Sequence, residues 1–210
     1  MFDLHGRVAV VTGASSGLGR QFALALAGQG ADLVILARRM EKLEAVAEEI
    51  RAKGVRCLPV KCDVCSVDDI KAAVKATIDE YGKVDILVNN AGGGPIYPIF
   101  DTPDDFWQHG VDLELTGEFR CIREFGREMK KAGYGRIINN ASLFGRIGTG
   151  AIPISNYCAV KGGVVNLTRE VAAELCKDGI TCNCICPGFI PSESNNPAAM
   201  EAMGPWINAR

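Results

Sequence analysis

The sequence predicts an α/β fold: a doubly wound parallel sheet with helices packed on both faces. Three observations carry that expectation. Short, almost continuously apolar runs such as "RVAVVTG" (7–13) and "ADLVILA" (31–37) read as strands buried on both sides. Helix-length amphipathic segments alternate with these runs along nearly the whole chain. Neither a linker nor an internal repeat interrupts the alternation, so residues 1–210 are expected to form a single domain.

The elements follow in order. After strand 7–13 comes a helix over about 16–28, then strand 31–37 and a helix over 41–54 that Gly54 should cap. Strand 56–64 leads to Ser66, placed to N-cap "VDDIKAAVKATIDEYG", whose first-turn acids suit the helix dipole. The fourth strand is 84–92. Thr102 and Pro103 open a long helix running to about Lys131. Strand 135–142, a helix over about 157–177 and strand 180–188 complete the series, joined by right-handed crossovers.

Composition narrows the function classes. The formal net charge is −2 and no long run of Lys or Arg occurs, so the sequence lacks the footprint of a nucleic-acid or anionic-membrane partner. No apolar stretch is long enough to span a bilayer, and the N-terminus, with Asp3 and a short apolar run, does not read as a signal peptide. A cytoplasmic location is expected. Nine cysteines are present, but "CDVC" (62–65) has no second Cys or His pair at a zinc-site distance, so no metal site is predicted. Cys182, Cys184 and Cys186 alternate along the last strand and read as small apolar fillers under a helix.

The turn after the first strand, "TGASSGLGR", spaces Gly13, Gly17 and Gly19 as G-x-x-x-G-x-G. Glycines there let the backbone turn sharply and approach a pyrophosphate seated on the next helix's N-terminus, which makes the fold Rossmann-type. Strand two ends in "LVILARRMEK", with Arg38 and Arg39 and no acid before Glu41. Dinucleotide sites that hold the ribose hydroxyls with a carboxylate select NAD, whereas arginines suit the extra phosphate of NADP. The expectation is NADP(H) over NAD(H); the plainer reading leaves both arginines solvated at a strand end.

Together with "CDV" (62–64), "NNAG" (89–92), "NAS" (140–142), "YCAVK" (157–161) and "PG" (187–188), the glycine turn makes the chain resemble the short-chain dehydrogenase/reductase family over about residues 4–192. The glycine spacing is similar to that of the family's compact branch. The resemblance implies that Ser15, Ser16 and Leu18 complete the phosphate turn and that Asp63 and Val64 contact the adenine. Asn89, Asn90, Ala91 and Gly92 would steady strand four and line the cofactor channel; Pro187, Gly188 and Ile190 would close over the nicotinamide. By the same resemblance Ser142 would hydrogen-bond the substrate oxygen, Tyr157 would be the acid/base and Lys161 would hold the nicotinamide ribose. The spacing of Tyr157 and Lys161 puts both on one helix face. A phenol titrates at about 10, and an adjacent ammonium together with the positive nicotinamide ring is expected to pull Tyr157 down from there.

Two departures from the family's pattern matter. Where relatives carry Asn in "N-L-T-G", this chain reads "DLELTGEF", placing Glu114 at that position, where the Asn is implied to hold a water linked to the lysine. Glu114 could stabilise the Lys161 ammonium, could raise the tyrosine and slow catalysis, or could simply cap or solvate the helix. Second, residues 189–210 suit a lid over the substrate but leave no apparent seventh strand. The fifteen positions from Ser142 to Tyr157 hold a glycine-rich loop, and neither histidine falls in a motif. Ile96, Tyr97, Phe100, Phe144, Ile147 and Ile152 are available to the pocket, with Phe189, Met200, Met203 and Trp206 from the tail. These lean towards an apolar or mixed small-molecule alcohol or ketone. The rival readings are a dinucleotide-binding protein that no longer catalyses and a purely structural interaction module; turnover tells the first apart, cofactor binding the second. The apolar helices at 112–131 and 157–177 would pair with copies of themselves as a homodimer or homotetramer.

Overall fold

The computed structural model describes residues 2–94, 96–188, 190, 201 and 204. Its strands are β1 (Val8–Thr12), β2 (Asp32–Ala37), β3 (Cys57–Lys61), β4 (Ile86–Asn89), β5 (Gly135–Asn140) and β6 (Ile180–Ile185). They form one parallel sheet in the order β3-β2-β1-β4-β5-β6, reversing direction of winding between β1 and β4. A crevice opens at such a reversal beyond the carboxyl ends of the strands. The expected doubly wound sheet is therefore present.

Alternate residues of each strand feed the two faces. Val8, Val10, Val34 and Leu36 pack with Ile70 and Phe125 against α3 (Val67–Tyr81) and α5 (Gly117–Ala132). Ala9, Val11, Leu33 and Ile35 pack against α1 (Gly17–Ala27) and α2 (Met40–Arg51). The remaining helix of the first face, α6 (Ser155–Leu175), lies along β6. Every residue of β1 is buried, as its unbroken apolar run predicts.

Several boundaries differ from the sequence reading, each for a local reason. Ser66 does cap α3, its hydroxyl accepting from Asp69 N. Gly54 does not cap α2: the helix ends at a right-handed Ala52, and Gly54 turns the chain two residues later with φ +85°. Strand four stops at Asn89 because the next two amides, of Asn90 and Ala91, donate to the Thr12 hydroxyl instead of to a neighbouring strand. Strand six stops at Ile185, before Pro187.

The largest difference is the long helix. Instead of one run from Pro103 to Lys131, a short α4 (Asp104–Gly110) passes through a π-helical turn (Val111–Thr116) into α5. A π turn inserts extra backbone into a helix and re-aims its side chains. Here it turns Glu114 inward. Among the described residues no helix is long and apolar enough to cross a membrane. The lid expected over 189–210, with Phe189, Met200, Met203 and Trp206, lies outside the described residues apart from Ile190, Glu201 and Gly204.

Candidate active site

The crevice begins in the turn between β1 and α1. Gly13 and Gly17 adopt left-handed φ of +65° and +54°. A Cβ on Gly13 would stand 2.8 Å from Ala91 Cα, and one on Gly19 would collide with the Gly13 carbonyl oxygen and the Asn90 side chain. Bare backbone is thus required at both positions, leaving a cradle open above α1 that fits a pyrophosphate. Asn90 ties the turn to the sheet. Its side-chain nitrogen donates to Thr12 O at 3.1 Å and its oxygen accepts from Asn140 Nδ2 at 2.9 Å. Thr12, whose buried hydroxyl accepts both the Asn90 and Ala91 amides, is a structural anchor that its place within the glycine motif only hinted at.

One arm of the crevice runs over the ends of β2 and β3. It is lined by Arg38, Arg39, Asp63 and Val64, expected at the adenosine end, and by Ser15 and Ser16 of the phosphate turn. Arg39 is not idle there: its Nη2 donates to Ser15 Oγ at 3.2 Å and Ser16 Oγ at 3.3 Å, across the mouth of the glycine turn. An Asp63 carboxylate oxygen accepts from Cys65 N at 2.9 Å, fixing the bend that follows β3.

The central arm brings Gly17, Leu18 and Asn90 together with Glu114, Tyr157 and Lys161. Tyr157 and Lys161 occupy adjacent turns of α6, with Lys161 Nζ 5.8 Å from the tyrosine ring centre. Ser142, at the end of β5, is buried and hydrogen-bonded to Tyr157. Its hydroxyl also accepts from Phe144 N at 3.1 Å. Beside it, Leu143 N donates to Pro187 O at 3.0 Å, joining the "PG" segment to the serine loop. Ile190 is described and exposed, and Gly188 lies between it and Pro187.

Lys161 is 4% exposed, so its ammonium must find partners within the protein. It donates to Asn140 O at 2.7 Å and stands 3.0 Å from Glu114 Oε2 and 3.9 Å from Glu118 Oε1. Glu114 is itself buried, and its other oxygen accepts from Gly93 N at 2.9 Å. The reading of Glu114 as a cap or a solvated helix residue is therefore wrong: the π turn carries it into the site. Burial alone would lower the lysine's pKa; the Glu114 and Glu118 carboxylates outweigh burial and raise it.

Tyr157 departs from expectation as well. Burial pushes its pKa up, and although Lys161 and the Ser142 hydroxyl pull down, the net shift is upward, with Glu114 adding to it. An ammonium paired with the Glu114 carboxylate has less positive field to spare for a phenol.

A third pocket, on the far side of Tyr157, has Ile96, Tyr97, Phe106 and Ile154 as apolar wall and His109 and Asn156 as polar groups. His109 carries no sequence motif, and only the fold brings it there. Phe100, expected in the pocket, is 97% exposed and does not line it. Phe144 and Ile152 pack behind Tyr157 rather than open to the cleft.

Known proteins resemble this chain in sequence and fold. The family model for short chain dehydrogenases matches residues 7–202. A 3-oxoacyl-[acyl-carrier-protein] reductase, FabG, of Staphylococcus aureus is 39% identical over 194 residues, covering 92% of this chain and 78% of that protein. An NAD+-bound xylitol dehydrogenase superposes with a TM-score of 0.88 at 31% identity, over 95% of this chain and 75% of its own. An actinorhodin polyketide ketoreductase with NADPH superposes with a TM-score of 0.86 at 36% identity, over 97% and 76%.

Proposed function

Because the chain belongs to the short-chain dehydrogenase/reductase family of NAD(P)-dependent oxidoreductases, we propose that it interconverts a ketone and a secondary alcohol using NADP(H). The observation that carries this reading is the convergence of Tyr157 and Lys161 in one cleft with the glycine cradle, with Ser142 hydrogen-bonded to Tyr157. When bound, the dinucleotide supplies hydride for reduction or accepts it in oxidation.

In reduction the Ser142 hydroxyl and the Tyr157 phenol hydrogen-bond the carbonyl oxygen. As hydride reaches the carbonyl carbon, the phenol proton passes to that oxygen, leaving alcohol and phenolate. Lys161 stabilises the phenolate, which then recovers a proton from solvent; oxidation runs the same steps backwards. Gly13, Gly17 and Gly19 with Ser15, Ser16 and Leu18 would hold the pyrophosphate, Asp63 and Val64 the adenine. Asn90, Ala91 and Gly92 would flank the nicotinamide half, and Pro187, Gly188 and Ile190 would cover it.

Arg38 and Arg39 support NADP(H), because a phosphate dianion beside two guanidiniums is strongly favoured and β2 offers no carboxylate in their place. The NADPH-bound ketoreductase agrees with that preference. The NAD+-bound xylitol dehydrogenase makes it a point for measurement. The apolar wall at Ile96, Tyr97 and Phe106 suits a ketone with an acyl or cyclic body, so 3-oxoacyl thioesters belong first in a substrate panel.

The nine free thiols fit a reducing, cytoplasmic setting, and Phe119, 44% exposed on α5, fits a helix that pairs with a second copy. One observation favours a second reading: Glu114 holds the ammonium that Tyr157 needs, which would suit a protein that binds dinucleotide but turns over poorly. Titration with NADPH and NADH, followed by NADPH oxidation against the ketone panel, decides between them. We expect NADPH to bind at least tenfold tighter, Arg39→Ala to erase most of that margin, and turnover on a panel member. Binding without turnover on any member would favour the second reading, and equal affinity for the two cofactors would overturn the NADP(H) assignment.

A further inference from the structure

Glu118 has no part in the chemistry above, yet its surroundings are the least comfortable in the molecule. It is 3% exposed, and neither of its carboxylate oxygens has a hydrogen-bond partner. Among the described residues the single cation paired with it is Lys161, at 3.9 Å, and that ammonium already faces Glu114 at 3.0 Å. The other titratable groups facing it are thiols: Cys121 on its own helix and Cys182 on β6. Burial pushes both thiols far up, Cys182 to about 12, so neither adds charge. Tyr157 stands beyond the ammonium on α6.

One ammonium cannot neutralise two buried carboxylates, and an unpaired carboxylate away from water takes up a proton instead. We propose that Glu114 and Glu118 retain one proton between them, carried on Glu118, and that losing it would withdraw the positive charge of Lys161 from Tyr157. Glu114 has the closer ion pair and the Gly93 amide, whereas neither Glu118 oxygen has a hydrogen-bond partner, which puts the proton on Glu118. Glu118 is then a positioning residue: it touches no reacting atom but decides how much of the ammonium's field reaches the phenol. The direction of titration agrees, since burial raises Glu118 to about 8, Lys161 pulling it down and Glu114 pushing it further up.

The functional half of this inference rests on the oxidoreductase reading, so the test has one arm that does not. Infrared difference spectra with 13C-labelled glutamate, wild type against Glu118→Gln, are recorded without cofactor. Below neutrality the wild type should show the carbonyl stretch of a protonated acid that the variant lacks, fading as pH rises through about 8. No such band, or its persistence in the variant, overturns the proposal. Should the variant fail to fold, the wild-type titration still decides by the band's presence or absence.

In the second arm, NADPH-linked reduction of a β-keto ester is followed against pH. Wild type should show an alkaline fall that Glu118→Gln lacks, a difference of roughly threefold to tenfold, because a second negative charge opposes the phenolate forming in the transition state. A purely structural role would lower the rate at every pH, and an identical alkaline limb in both proteins would overturn the coupling. Absence of any turnover would count against the oxidoreductase reading alone, leaving the infrared result to stand.

Discussion

Gly19 shows how little freedom the cofactor turn has. A methyl group there meets a carbonyl oxygen and an asparagine amide, both fixed by the sheet. Gly19→Ala should therefore leave the sheet folded, by circular dichroism, while weakening NADPH binding at least tenfold in a fluorescence titration; unchanged affinity would mean that the turn does not hold phosphate. Gly13, Gly17 and Gly19 were legible in the sequence because their requirement is local, a matter of φ and close approach. Glu118 was not. Four residues from Glu114 in a charged helix, it reads as a solvated side chain, and only its place beside Lys161 of α6 and Cys182 of β6 reveals that it is sealed in. The upward shift of Tyr157 in the protein alone was hidden for the same reason: the sequence displays the lysine four positions on, but not the burial that outweighs it.

Elements that carry a periodic apolar pattern were readable almost to the residue, and α3 with its Ser66 cap is the clearest case. The π turn was not, since no residue type encodes one; its consequence is that Glu114 reaches Gly93 and Lys161. The start of β4 carries a comparable buried charge. Asp85 accepts from Val8 N at 2.9 Å and Arg7 at 2.8 Å, and Lys83 stands 3.0 Å away, joining β1 to β4 at the end opposite the crevice. Burial would raise its pKa, but the Val8 amide, Arg7 and Lys83 together lower it. The folded state thus holds this carboxylate ionised below the ordinary range, so its contribution is present above the unfolded value and disappears as pH falls through the folded one. Asp85→Asn should cost about 1–3 kcal/mol in urea unfolding near neutrality and make the acid limb of stability shallower. An unchanged midpoint would show that the pairings at this end of the sheet contribute nothing.

At the scale of the molecule, the crevice sits where the order β2-β1-β4-β5 changes direction, so cofactor contacts come from both halves of the sheet. We expect the described fold to unfold as one cooperative unit, and a dinucleotide spanning both halves should stabilise all of it. NADPH at a hundred times its dissociation constant adds about 2.7 kcal/mol by mass action, which should raise the melting temperature by several degrees. Separate transitions for the two halves would contradict that expectation. The parallel sheet with its helical crossovers was legible in the alternation of elements, whereas the placing of His109 and Asn156 on one pocket wall depends on α4 and α6 meeting. The most direct test of the proposed chemistry is isotopic. Wild type and Tyr157→Phe are incubated with NADPH carrying deuterium at C4 of the nicotinamide and a ketone that the wild type reduces. Deuterium should appear on the carbinol carbon with the wild type, and the variant should transfer it at least a thousandfold more slowly while binding NADPH as tightly. Transfer at comparable rates would remove Tyr157 from the chemistry and contradict the account.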